Sequence, residues 1–407
     1  MFKSEVPKEL KKRKTKVNAK TILKMATHAA SHLENLRKEL LAPYPRKAPP
    51  VFKSSQLASL LGPGWDRKRI DRLLATQEDA LAEGKAPKTN LPTGDRDDNR
   101  KQRQFSLTDV YEWVHTYNPP KRTSPLGKTV VFGNYKGGVA KSTSSVAMAQ
   151  ALTLKGLRVL FIDLDPQGTA TLCLGFDPDV EINESNTILP ILYNHKDPEY
   201  QDCLKSAVQK TYWPNLDIIA SSSQLAEAEM LIIGQLKSNP SIEFWNILNE
   251  ALRNVRGEYD VIVIDTPPQL SNITLNAIFA ADGLIMPLPP AAVDFASSTA
   301  FWWLVGEIVS GIDKAASKEF DFVNVLLTKV DMTKTLTPEI VTWVRDAYGD
   351  TVLPFYIPES TAVSNASAEF GTIYDTPTPL GSLEAYRKVR DPHDKLADYI
   401  YTEFITA

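Results

Sequence analysis

"NYKGGVAKST", residues 134–143, lies between an apolar run, "KTVVFGN" (128–134), and a helix-forming stretch, "KSTSSVAMAQALTLKG" (141–156). A strand that runs through a glycine-rich loop into a helix is the setting of a phosphate cradle. Backbone N–H groups converge on an anion there, and the helix dipole adds to their field. Gly137 and Gly138 supply the tight backbone, Lys141 has the reach for the outer phosphates, the Ser142 hydroxyl suits a divalent cation, and Thr143 suits the innermost phosphate. The usual spacing G-x-x-x-x-G-K-[ST] puts glycine before the lysine, but Ala140 stands there, which implies a position needing no positive φ. A second lysine, Lys136, opens the loop.

Further along the chain, "RVLFIDLD" (158–165), "DVIVIDT" (260–266), "GLIMPL" (283–288) and "FVNVLLTKV" (322–330) are short β-branched runs separated by helix-length gaps. Strands buried on both faces read this way, so the spacing predicts a doubly wound α/β domain with a mainly parallel sheet. Ligands of such sheets sit at the carboxyl ends of the strands. There the sequence places Asp163 and Asp165, and then Asp265 after four apolar residues, the usual position of a carboxylate that holds Mg²⁺ through water.

With these residues the chain resembles the ParA/MinD family of deviant Walker-A ATPases, in particular large plasmid-partition ParA proteins with an N-terminal DNA-binding extension. The family pattern K-G-G-[VT]-x-K-[ST] is matched by Lys136, Gly137, Gly138, Val139, Lys141 and Ser142, and "DLDPQGTAT" (163–171) matches a second motif with Thr169 in place of Asn. The motifs extend from about residue 128 to 375.

The resemblance implies an Mg²⁺-dependent P-loop ATPase, ATP and ADP as ligands, slow hydrolysis, and a homodimer in which Lys136 reaches the phosphates of the partner's nucleotide. It further implies that Asp165 orients the attacking water, that Asp163 supports Mg²⁺ indirectly, and that Pro358 and Thr361 lie near adenine. Thr266, Pro267 and Pro268 would form a switch that senses the γ-phosphate. It implies non-specific DNA binding through late basic residues, for which Arg345, Arg387, Lys388 and Arg390 are candidates. A ParB-type partner would stimulate hydrolysis.

Ahead of this domain (123–407) lie two segments. Residues 1–48 open with "KKRKTK" and continue into "TILKMATHAASHLENLRKELL" (21–41), whose Ile22, Leu23, Met25, Ala26, Ala29, Leu33, Leu36, Leu40 and Leu41 recur at helical spacing. This basic amphipathic helix is expected to pack on another domain or on a second copy of itself.

Residues 49–122 read as a winged helix-turn-helix domain. A short helix opens at Ser54 or Ser55, Gly62-Pro63-Gly64 breaks it, and a second helix starts at Asp66 with Ile70, Leu73 and Leu74 inward and Arg67, Lys68, Arg69 and Arg72 outward. "TNLPTGDRDDNRKQRQF" (89–105) reads as a wing with Gly94 at its tip, followed by a closing helix capped by Ser106 and Asp109. The four basic residues are candidate operator contacts, and the resemblance implies a plasmid or replicon partition ATPase that also represses its own operon. The alternative is a nucleotide-switched regulator without useful turnover.

Charge supports a polyanion partner for the front of the chain. Residues 1–124 carry 26 Lys and Arg against 14 Asp and Glu, and the rest carry 20 against 35. Only Cys173 and Cys203 occur, without metal-ligand spacing, and no apolar run of membrane-spanning length is present, so a cytoplasmic, nucleoid-associated protein is expected. A MinD-like membrane anchor needs a basic amphipathic C-terminus, and "DKLADYIYTEFITA" (394–407) is not basic.

Overall fold

A computed structural model of the chain describes residues 18–41, 47–96, 102–194, 202–316, 318–360, 371–375 and 383–406. The chain divides into two compact units, Met1–Arg46 and Lys47–Ala407. In the first, helix α1 (Ala19–Leu41) is capped by Asn18, whose Oδ1 accepts from the Thr21 amide at 3.0 Å. Its Ile22, Leu23 and Met25 are exposed, as the uncovered face of an amphipathic helix would be.

The second unit begins with a three-stranded sheet and three helices. Strand β1 (Phe52–Lys53) leads directly into α2 (Ser54–Leu61) and, across a turn, into α3 (Arg67–Ala82). The predicted start of α2 shifts by one residue: Lys53 is the N-cap, and its amide donates to Gln56 Oε1 at 2.9 Å, while Ser54 Oγ turns to Asp71. Asp66 caps α3 as expected, accepting from the Arg69 amide at 2.7 Å. Ala58, Leu61, Ile70 and Leu74 are buried. Strands β2 (Asp95–Arg96) and β3 (Arg103–Phe105) pair antiparallel, with sheet order β1-β3-β2. Gly94 stands at the entry to β2 with φ +66°, not between β2 and β3, and residues 97–101 lie outside the described residues. Helix α4 (Leu107–Tyr117) carries the predicted capping box, Ser106 with Asp109.

The rest is an α/β domain with an eight-stranded sheet of order β11-β10-β9-β4-β8-β5-β7-β6. The five expected strands are β4 (Lys128–Phe132), β5 (Val159–Asp163), β8 (Val261–Asp265), β9 (Gly283–Leu288) and β10 (Phe322–Val330). Three more extend the sheet: β6 (Gln209–Lys210), β7 (Leu216–Ile219) and β11 (Val352–Pro358). Every described pairing is parallel except that of β6 with β7. Two prolines in β11 are tolerated because it is an edge strand. Helix α5 (Lys141–Thr153) is buried nearly all round, between the sheet and the helix Leu383–Ile400.

Residues 49–122 do not stand apart from this domain. Trp113 and Val114 of α4 belong to the same hydrophobic cluster as Val146 and Leu152 of α5. His115 Nε2 bonds the Gly156 carbonyl oxygen at 2.7 Å, and Arg122 pairs with the buried Asp260 at 2.7 Å. No helix among the described residues is long and apolar enough to cross a membrane.

Candidate functional site

Register decides where the acidic side chains meet. On β5 and β8, Asp163 is the register partner of Asp265, and on β4 and β8, Phe132 is that of Asp265. The three central strands therefore end level, and the loop after β4 rises beside two carboxylates. The loop is braced from below. Asn134, buried, donates through Nδ2 to the Pro287 carbonyl at 2.8 Å and accepts the Lys136 amide on Oδ1 at 3.0 Å. Thr328 Oγ1 donates to the Val139 carbonyl at 3.0 Å, and Thr266 Oγ1 to that of Phe132 at 2.8 Å. Neither Asn134 nor Thr328 carried a recognisable sequence signal, since a lone polar residue at a strand end fits many roles.

Ala140 overturns the expectation drawn from its side chain. It is the N-cap of α5 with φ +69° and ψ +31°, the left-handed region. Its carbonyl must start the helix by accepting the Ser144 amide at 3.1 Å while the chain turns out of the loop, and that geometry needs the positive φ. An alanine there carries about 1–2 kcal/mol of strain that glycine would not.

Lys141 is buried, and its Nζ donates to the Lys136 carbonyl at 3.0 Å, so it curls back over the loop it follows. Burial pulls its ammonium below the usual lysine range, with Asp265 and Asp165 acting against that. Asp163 is fully engaged: Oδ2 accepts from the Thr171 amide and hydroxyl at 2.9 and 2.7 Å, and Oδ1 from the Asp165 amide at 3.1 Å. Burial still lifts its carboxyl to about 7. Asp165 spends Oδ1 on the Gln167 amide at 3.0 Å, and burial raises it too.

Asp265 differs from both. It is wholly buried, and among the described residues neither carboxylate oxygen has a hydrogen-bond partner. Burial, with the Asp163 charge next, holds it well above the carboxylate range; the nearby Ser142 hydroxyl and Lys141 ammonium ease the shift without closing a hydrogen bond of ordinary geometry. A buried unpaired carboxylate is costly. The donor set fits a hydrated divalent cation, which prefers hydroxyl, carboxylate and water oxygens to a closed protein cage. Among the described residues there is no cluster of three or more His, Cys, Asp or Glu able to hold an ion by themselves.

A cleft of about 510 Å³ opens over this floor. The loop residues Gly137, Gly138, Ala140, Lys141, Ser142 and Thr143 line one part of it, with Asp165 and Pro268. Pro358 lines it, beside Lys329, Glu359 and His393, which the sequence reading did not single out. Thr361 lies outside the described residues. Lys136 is not in the cleft lining; its Nζ pairs with Asp294 Oδ1 at 2.5 Å, at the start of the helix Ala292–Ala316.

The basic candidates divide. Arg67, Lys68, Arg69 and Arg72 are exposed along α3. Arg67 pairs with Asp71, and Arg69 lies over the Trp65 ring at 4.1 Å. Arg345, Arg387 and Lys388 are exposed. Arg390 departs from a free DNA-facing charge: its side chain is 12% exposed, stacks on Tyr374 at 3.8 Å and pairs with Asp394 at 3.1 Å.

Residues 127–315 match the family described as AAA domain. A putative replication protein A of Rhizobium rhizogenes is 26% identical over 93% of this chain and 93% of its own length. The sporulation initiation inhibitor protein Soj of Bacillus subtilis is 32% identical over 59% of this chain and 88% of its own. Among solved structures, a partition protein aligns over 93% of this chain and 97% of its own with a TM-score of 0.62 at 19% identity, a likeness of fold. Cobyrinic acid a,c-diamide synthase from Mycobacterium smegmatis, with bound ATP analogue and magnesium, aligns over 68% of this chain and 94% of its own with a TM-score of 0.52 at 26% identity. With the two-lysine loop and the paired strand-end aspartates in place, this likeness to nearly the whole of Soj means that the chain belongs to the ParA/MinD family of P-loop ATPases.

Proposed function

We propose that the protein is a plasmid or replicon partition ATPase that hydrolyses ATP in the cleft after β4 and uses the nucleotide state to control pairing and DNA binding. The observation that carries this reading is the unpaired, buried carboxylate of Asp265 beside Ser142, at the foot of a phosphate loop. Ser142 and Asp265 would hold Mg²⁺, Asp265 through water, with Asp163 fixing the neighbouring backbone rather than touching the ion. An ion held there would supply charge neutralisation of the phosphates. Lys141 would leave the Lys136 carbonyl for the outer phosphates, and the loop N–H groups would hold the inner ones. Asp165, with Oδ1 held by Gln167, has Oδ2 to orient a water, and a carboxylate lifted by burial is a better base near neutral pH.

The remaining roles rest on the resemblance and on exposed charge. Lys136 would exchange Asp294 for the nucleotide of a second protomer, giving a homodimer. Helices α2 and α3 with the β1-β3-β2 sheet would act as a winged helix-turn-helix, with the exposed Lys68 and Arg72, which make no ion pair among the described residues, as cations for an operator. Arg345, Arg387 and Lys388 would serve non-specific binding to the nucleoid, and a ParB-type partner would stimulate turnover. The test is twofold: ATP hydrolysis by the wild type against Lys141→Ala, and binding to operator and random duplexes with ADP, ATP or no nucleotide. If Lys141→Ala keeps its turnover, or neither duplex responds to nucleotide, the reading fails.

A further inference from the structure

The cleft extends beyond its phosphate end. Past the loop it is bounded by Ile357 and Pro358 at the close of β11, by Lys329 at the close of β10, and by His393 of the helix Leu383–Ile400. Lys329 is one of three described non-glycine residues with positive φ, at +52°, so backbone strain gathers at this end as well as at Ala140. With the phosphates fixed at the loop, this far end is where the base of a nucleotide must lie.

His393 is an unusual residue to find there. It is 3% exposed, yet it lines the cleft. Its Nδ1 lies 2.9 Å from the Val389 carbonyl oxygen, which can only accept, so Nδ1 carries the proton. Burial lowers the imidazole's affinity for a second proton; the Arg390 charge works the same way, while the Val389 bond and the Asp394 charge oppose it. The ring is thus neutral with a defined tautomer, and Nε2 presents a lone pair. Among the described residues no group donates to Nε2, and the residue that carries it lines the cleft.

We propose that His393 is a base-reading residue: its Nε2 accepts a hydrogen bond from an exocyclic amine of the nucleobase, so that the site takes an amino purine and disfavours one with a keto oxygen at that edge. This deepens the ATPase reading and rests on it. A keto oxygen opposite Nε2 would set two acceptors face to face in a half-dry pocket, and a buried acceptor left unpaired is what makes such discrimination steep. Pro392, just before it in the helix, has no amide proton, so the turn that carries His393 is already marked off from a regular helix.

The test is calorimetric titration of the full chain with ATP and with inosine triphosphate, which carries a keto oxygen in place of the amine, both with Mg²⁺. The wild type is expected to bind ATP about ten-fold or more tighter. His393→Phe, which keeps a flat ring without the acceptor, is expected to bring the two within about three-fold, mainly by weakening ATP; His393→Leu serves the same purpose should the phenylalanine variant melt early. Equal affinities in the wild type overturn the proposal without any variant. So does an ATP preference that survives in His393→Phe, which would mean that backbone groups read the base. If neither triphosphate binds at all, the ATPase reading itself has failed, an outcome distinct from equal binding.

Discussion

Lys136 Nζ lies 2.5 Å from Asp294 Oδ1, so the lysine that opens the phosphate loop is held by the first turn of a helix within its own protomer. Its side chain is about one-third exposed, and ion pairs of that kind contribute roughly 0–1 kcal/mol. The tether is therefore weak enough to be exchanged for a triphosphate.

Lys136→Ala should leave the stability of the nucleotide-free chain within about 1 kcal/mol of wild type and abolish ATP-dependent pairing. Asp294→Asn should do the opposite to pairing, strengthening it by freeing the lysine. Sedimentation velocity with ATP and Mg²⁺ measures both, and an Asp294→Asn chain that pairs less well than wild type would remove the idea that Asp294 parks the lysine.

The strain at Ala140 gives a second expectation. Glycine at φ +69° escapes the Cβ clash, so Ala140→Gly should stabilise the folded chain by about 1 kcal/mol despite glycine's larger loss of backbone freedom. Urea denaturation of the two proteins would decide it. A destabilised glycine variant would mean that the alanine methyl makes contacts outweighing the clash.

Most of this site was legible in the sequence because its parts are strictly local. The loop and its two lysines follow one apolar run within ten residues, the aspartates at 163, 165 and 265 each come directly after an apolar residue, and register then brings 163 and 265 side by side. What escaped was whatever depends on distant chain. His393 reaches the cleft from a helix over 120 residues beyond Asp265, and nothing in "DPHDK" distinguishes a base reader from a surface histidine. Arg390 looked like a free cation because its partners, Tyr374 and Asp394, approach it only once the helix has packed. Strand β7 has four residues and β11 two prolines, too short or too interrupted for periodicity to show. The φ of Ala140 misled for another reason: residue type states a preference, and the fold overrode it.

The junction of α4 with the ATPase domain predicts a mechanical effect. Gly156 has φ +85°, and a Cβ there would lie 3.1 Å from both Val114 Cγ1 and His115 Cδ2. Gly156→Ala should therefore cost more than about 1 kcal/mol, from strain and from pushing α4 away. Limited proteolysis should show earlier cutting within 119–125. Unchanged proteolysis and melting would mean that the contact does not fix α4 in place.

The buried carboxylates give the last prediction. Folding holds Asp163 near 7 against an ordinary value of 3.8, and burial likewise holds Asp265 well above the carboxylate range. A carboxyl raised by folding keeps its proton more tightly in the folded chain than in the unfolded one. The stability it lends is complete below about pH 4 and drains away as pH rises through the folded value. In the absence of nucleotide and divalent ion, these two groups should therefore make the chain lose stability between about pH 4 and 7. Replacing the unpaired one removes the penalty: Asp265→Asn should be more stable than wild type at pH 8 by upwards of about 1 kcal/mol, with the gap narrowing toward pH 5. The same variant should lose ATP turnover by about 100-fold or more, because the carboxylate that burdens the empty fold is the one that would hold the ion. Urea titrations of both proteins at pH 5, 6, 7 and 8, paired with phosphate release, measure the two effects together. An asparagine variant less stable than wild type at pH 8 would show that Asp265 is satisfied in the folded chain, and the reading of it as an ion-holding group would lose its basis.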